Sequence, residues 1–245
     1  MRAALFVTCL VDLMRPSIGF AALRLLEAAG CEVVVPPTQT CCGQPAFNSG
    51  DRDSAASLAK KLIAEFESFE HVVVPSGSCA DQIRNEYPRL LADDPQWHGR
   101  AVALASRVFE LTDFLVNVAK LDRLPGNFNG SLTYHDSCSG LRGLGIKQQP
   151  RQLLAKLPGA VLKEMPGAEE CCGFGGAFSV KFGDISAAIA EKKCGNACST
   201  GADASNVCIC PRNSRSRRRA ARPRIPARNP VETSIVDRAA NTSLA

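Results

Sequence analysis

One cysteine pattern is written twice along this chain, and a pattern repeated over such distances admits few folds. Cys9 is followed 32 positions later by Cys41-Cys42-Gly43, and Cys138 is followed 33 positions later by Cys171-Cys172-Gly173. Each leading cysteine comes just after a run suited to a β-strand, residues 3–8 and residues 132–134. Leu25-Leu26 and Leu153-Leu154 stand at matching distances behind their leading cysteines. Two copies on one strand–helix–strand frame imply a duplicated domain. The junction is expected near Pro125-Gly126, giving a first domain of residues 1–125 and a second, truncated one of residues 126–204.

The frame itself is an alternation of strands and amphipathic helices. Strands are expected at residues 3–8, 32–35, 71–74, 132–134 and 160–162. Pro16 suits the first turn of a helix that runs through Leu23, Leu25 and Leu26 and stops at Gly30. Ala55, Leu58, Ala59, Leu62, Ile63 and Phe66 recur at helical spacing, as do Leu111, Phe114, Leu115 and Val118. Further helices are expected from Pro150 through Leu157 and from Asp184 to about Cys198. Such alternation predicts tandem α/β domains with largely parallel sheets.

Composition narrows the functional classes. A hydrophobic content of 45 % supplies a core, and no apolar run is long enough to span a bilayer. The net charge of +5 is misleading, because residues 205–245 hold nine arginines against two acids, leaving the body with 20 bases and 22 acids. That body offers no basic stripe for nucleic acid. The tail loses apolar periodicity and is expected to be disordered. Its alternatives are an arm for an anionic partner and a frameshifted end. Residues 3–11 could pass for a short export signal, but Asp12 ends the run and no A-x-A pattern follows, so a first strand is expected. A cytoplasmic location would keep the twelve cysteines reduced, which directs them to metal, redox chemistry or burial rather than disulfides.

Thiolates are soft ligands suited to iron–sulfur clusters and zinc. A glycine after the doublet lets the backbone turn tightly enough for two adjacent thiolates to face one group. Cys79 follows the strand at residues 71–74, so Cys9, Cys41, Cys42 and Cys79 form a four-thiolate set drawn from three loops. Buried structural cysteines and a zinc scaffold are the rival readings. Ligand gaps of some thirty residues do not match the short spacing of zinc ribbons.

The segments TCLVD, TCCGQPAFNSG, PSGSC, YHDSC and ECCGFGGAFSVK, read together over roughly residues 1–204, resemble the cysteine-rich CCG-domain iron–sulfur proteins. Within them the chain is most similar to the A component of bacterial lactate-utilisation oxidoreductases. The iron–sulfur subunit of glycolate oxidase and the B subunit of heterodisulfide reductase are more distant relatives. The resemblance implies a cytoplasmic electron-transfer subunit carrying an iron–sulfur cluster of the 4Fe-4S type. Its partners would be a ferredoxin-like iron–sulfur subunit and a further subunit of a complex oxidising L-lactate to pyruvate. By position, Cys9, Cys41, Cys42 and Cys79 match one family cysteine set, and Cys138, Cys171 and Cys172 match most of a second.

The chain also departs from that pattern. A fifth thiolate is missing where Gln82 stands, and Gly201-Ala202-Asp203 is followed by unrelated sequence, with no strand expected before Cys208. Cys194 and Cys198 share a helix face by spacing and could replace the missing ligand, although an ordinary helix face is the simpler reading. Cys31 is expected to pack in the core, and Cys208 and Cys210 to belong incidentally to the tail. His135, beside Asp136 and near Cys138, is expected to orient a ligand by a hydrogen bond or to relay a proton rather than to act in a Cys–His pair. His71 and His98 accompany no motif. Gly173-Phe174-Gly175-Gly176 lacks the spacing of a phosphate loop.

Overall fold

Short β-branched and apolar runs build two sheets in which every strand pair is parallel. The computed structural model describes residues 1–205. The first sheet contains β1 (Arg2–Leu5), β2 (Glu32–Val34), β3 (Val72–Val74) and β4 (Val108–Glu110), in the order β2-β1-β3-β4. The second contains β5 (Gly130–Thr133), β6 (Ala160–Leu162) and β7 (Ala204–Ser205), in the order β6-β5-β7. The register repeats as well: Ala3 lies opposite Val33 in the first sheet, and Ser131 opposite Val161 in the second.

β1 is shorter than its apolar run because Thr8 starts a helix. Its hydroxyl accepts from the Val11 N–H at 3.4 Å and opens Cys9–Met14. Both faces of the first sheet are covered, as parallel sheets require. Ala4, Phe6, Val72 and Val74 pack against the helix Arg52–Phe66 and against Ile83 and Tyr87. Ala3, Leu5 and Val73 pack on the other side against Leu26, Phe114 and Leu115. Leu153, from the helix Gln148–Ala155, joins this second core, so the later half of the chain leans on the earlier one. Cys31 is buried in the same core, as expected for a packing residue.

Two strands depart from expectation. β4 was not among the expected strands, whereas the helix expected over residues 111–118 is present, an α-helical turn at Leu111–Asp113 continuing as a π-helix over Phe114–Val118. A strand does precede Cys208: Ala204 and Ser205 pair with Leu132 and Thr133. Their side chains have little strand preference. The pairing is held from outside, by Asp203, whose carboxylate accepts from both the backbone N–H and the hydroxyl of Ser131 at 2.8 Å. Ser205 is therefore part of the sheet rather than of the tail. The rest of the tail, with Cys208 and Cys210, lies outside the described residues.

The halves meet backbone to backbone. A Cβ built on Gly77 would lie 2.9 Å from the Ser137 Oγ and 3.0 Å from the Gly140 Cα. Asn85 bridges the same seam by donating to the Gly143 carbonyl at 3.0 Å. Gly77→Ala should therefore force the seam open and lower stability by about 1–3 kcal/mol, the usual cost of overpacking. Urea unfolding measures this, and a variant as stable as the parent would show that the seam has slack.

Candidate functional site

In parallel strands the following loops leave at the same sheet edge, the C-terminal one, where α/β proteins gather their functional groups. Cys9 stands at the start of the helix after β1. Cys41 and Cys42 lie on the loop after β2 and its extension, just before the helix Gln44–Asn48. Cys79 lies in the helix Gly77–Asp81 after β3. The Sγ atoms of Cys9 and Cys41 are 3.6 Å apart. Cys42 is 2 % exposed, and the buried Tyr87 hydroxyl donates to its carbonyl at 2.8 Å. Gln44 donates to the Ser78 carbonyl at 3.3 Å, tying the doublet loop to the Cys79 loop. Gln39 ties it to β1, accepting from the Val7 N–H at 2.7 Å and donating to the Pro36 carbonyl at 2.9 Å.

The four thiols share their protons unequally. Hydrogen bonds from Cys42 and Cys9 hold Cys41 far below the ordinary thiol range. Cys42, with help from Ser76 and Ser78, likewise lowers Cys79. Cys9 is raised by Cys41 and by burial, and Cys42 by Cys41, Cys79 and burial. Four thiolates this close repel one another, so only a cationic group among them can hold all four deprotonated.

Beside Cys9 and Cys41 is a cleft of about 170 Å³, also lined by Val7, Asp12, Leu13, Gln39 and Thr40. Asp12 Oδ1 and Thr40 Oγ1 are buried there without a hydrogen-bond partner. Orphaned polar atoms at a soft donor set fit a metal–sulfur group at this edge. Among the described residues no group of three or more His, Cys, Asp or Glu side chains converges on a single-ion position. A cluster does not require that, since it spreads its thiolates over several irons.

The second half brings together Cys138, Cys171 and Cys172. The Cys138 thiol, which follows β5, is pushed up by burial and then by its interaction with Cys171, while Arg142 opposes the shift. Cys171 is exposed and its sulfur accepts from the Gly173 N–H at 3.3 Å. Gly173 has a left-handed backbone (φ 85°), and a Cβ there would lie 2.5 Å from the Ser186 carbonyl oxygen of the helix Gly183–Ser199. Only glycine lets the doublet loop rest on that helix. Gly43 has the same left-handed backbone (φ 79°) beside the helix Arg52–Phe66.

The remaining predicted residues separate. The His135 Nδ1 is 2.9 Å from the Ala168 carbonyl, a position that orients the loop leading to the second doublet, and burial lowers the ring's pKa. Asp136 is paired through both oxygens with Arg151, at 2.8 and 2.9 Å, and Arg151 also holds Glu164. Cys194 is buried and Cys198 exposed, so the two do not share one environment. Lys193 went unnoticed in the sequence because it is one of two adjacent lysines on a helix. Lys192 faces Glu170 at the surface, whereas Lys193 points inward and donates to the Gly167 carbonyl at 2.6 Å. Burial lowers its pKa, against the pull of Glu170, Cys172, Cys138 and Cys171.

Two cysteine sets, each built on a doublet ahead of a left-handed glycine, define a class. The chain belongs to the cysteine-rich CCG-domain family, whose model matches it twice, over residues 3–84 and 132–211. It is 45 % identical over 203 residues to Lactate utilization protein A of Bacillus cytotoxicus, covering 83 % of this chain and 84 % of that protein. It is 46 % identical over 193 residues to Lactate utilization protein A of Geobacillus sp. (strain WCH70), covering 79 % and 81 %. Lactate utilization protein A 2 of Bacillus mycoides is 43 % identical over 203 residues, covering 83 % and 84 %. No helix among the described residues is long and apolar enough to cross a membrane.

Proposed function

We propose that the chain is the iron–sulfur electron-transfer component of a cytoplasmic complex that oxidises L-lactate to pyruvate. The observation that carries this reading is the meeting of Cys9, Cys41, Cys42 and Cys79 at one edge of a parallel sheet, beside orphaned polar atoms. The relatives' name supplies the substrate, and favours lactate over the glycolate and disulfide alternatives. Cys9, Cys41, Cys42 and Cys79 would hold one cluster, of the 4Fe-4S type, in the domain of residues 1–125. Cys138, Cys171 and Cys172 would hold a second group in the domain that begins at residue 126.

A bound cluster supplies one-electron chemistry at a potential set by its surroundings. The chain's own residues do the rest. Tyr87 and Gln44 fix the doublet loop, Gln39 anchors it to β1, and burial of Cys42 and Cys79 keeps water from that side. The electrons would pass to or from a ferredoxin-like subunit and a further subunit of the complex. Anaerobic purification followed by iron, acid-labile sulfide and zinc quantification tests the reading. Iron with matching sulfide, reducible by lactate when the partner subunits are added, is the expected result. Zinc without sulfide would instead mark a structural scaffold and overturn it.

A further inference from the structure

The duplicated frame contains its own control experiment. The helix Arg52–Phe66 buries Ala55, Ala59, Leu62, Ile63 and Phe66 beside the first doublet loop. The helix Gly183–Ser199 buries Ser186, Ala190, Lys193, Cys194 and Ala197 beside the second. Each residue of the second series lies 131 positions after its counterpart in the first. Lys193 thus occupies the place of Leu62, and at 1 % exposure it is as deeply buried as that leucine.

A leucine fills this position in the first half, so the architecture does not demand a lysine. A buried ammonium costs several kcal/mol in desolvation unless its surroundings offset it. Here the surroundings are specific. The Lys193 Nζ donates to the Gly167 carbonyl at 2.6 Å and lies 3.4 Å from the Ala168 carbonyl. Ala168 also receives the Asp136 N–H at 3.1 Å and the His135 Nδ1 at 2.9 Å. The same ammonium interacts electrostatically with Cys172, Cys138 and Cys171. Among the described residues, the first set has four thiols and no such buried cation, whereas the second has three thiols and Lys193.

We propose that Lys193 is a positioning residue that supplies a fixed positive charge to the second cysteine set, raising the reduction potential of the group held by Cys138, Cys171 and Cys172. The inference rests on the iron–sulfur reading above. Reduction brings one electron from the titrant to the bound group, with no proton exchanged at Lys193. The added negative charge is stabilised by the nearby ammonium, so the two halves would work at different potentials although built on one plan.

The test is an anaerobic redox titration with dithionite and mediators, following the signal that Cys138→Ala abolishes. The unsubstituted protein, Lys193→Gln, Lys193→Leu and Lys193→Arg are compared. Gln keeps a donor for the Gly167 carbonyl without the charge, Leu copies the first half, and Arg keeps the charge. The Gln variant, and Leu where it folds, should lower the second-site potential by at least a tenfold change in the reduction equilibrium, 59 mV for one electron. Arg should restore most of it, and the signal that depends on Cys41 should not move. An unchanged second-site potential in Lys193→Gln, with iron still bound, overturns the role of Lys193 and leaves the iron–sulfur reading standing. A Cys138-dependent signal missing from the unsubstituted protein overturns the role of Lys193, and a missing Cys41-dependent signal overturns the iron–sulfur reading; both are seen before any Lys193 variant is made.

Discussion

Cys41→Ser and Cys42→Ser are each expected to strip most of the iron from the first half, while Cys31→Ser leaves it in place. The contrast is chemical as well as positional. Cys41 is the sulfur most strongly held as a thiolate, because Cys42 and Cys9 both stabilise its charge. Cys42 links it to Cys79, so losing either member of the doublet breaks the set in the middle. A serine hydroxyl is a harder and far less acidic ligand than a thiol. Cys31 is also buried but sits among Leu26, Val35 and the β1 side chains, on the opposite face of the sheet from Cys42 and Cys79. Iron per chain after anaerobic purification decides the matter, and full iron retention in both doublet variants would remove the four-thiolate assignment.

Arg151→Met should cost about 3 kcal/mol, the order expected when one partner of a buried pair is removed. The two side chains are unequal in this respect. Asp136 is 1 % exposed and has Arg151 as its ion-pair partner, so losing the arginine leaves a carboxylate buried without a countercharge. Asp136→Asn should cost less, because Arg151 keeps Glu164 at the surface and an amide can still accept from it. Urea unfolding of the two variants should therefore rank Arg151→Met below Asp136→Asn. The reverse order would mean that Glu164 rather than Asp136 is the main partner.

The sequence was most informative where chemistry and periodicity coincide. β1 lies largely in the apolar run that starts at Ala3, β3 is three valines, and the seven cysteines placed in the two sets are conspicuous by type and spacing. β4 was hidden because its three residues lead straight into a helical turn, so that the two periods merge. β7 was hidden for a different reason. Ala204 and Ser205 become a strand only because β5 has an open edge and Asp203 grips Ser131, both decided by residues some seventy positions earlier. Lys193 was invisible to any rule that assigns charged residues on helices to water. The internal offset of 131 positions was the signal that could have exposed it, since it pairs a lysine with a leucine on one buried face.

The two-residue strand β7 also has a bearing on how the chain is made. Ser131 and Asp203 are 72 residues apart, so β5 emerges from the ribosome long before the strand that will cover its far side. Until then one row of its N–H and C=O groups is unpaired. A chain stopped before Asp203 would keep that row bare for good, as a template onto which another copy can add its own strand. Self-association and precipitation, rather than simple unfolding, are the expected fate of such a fragment.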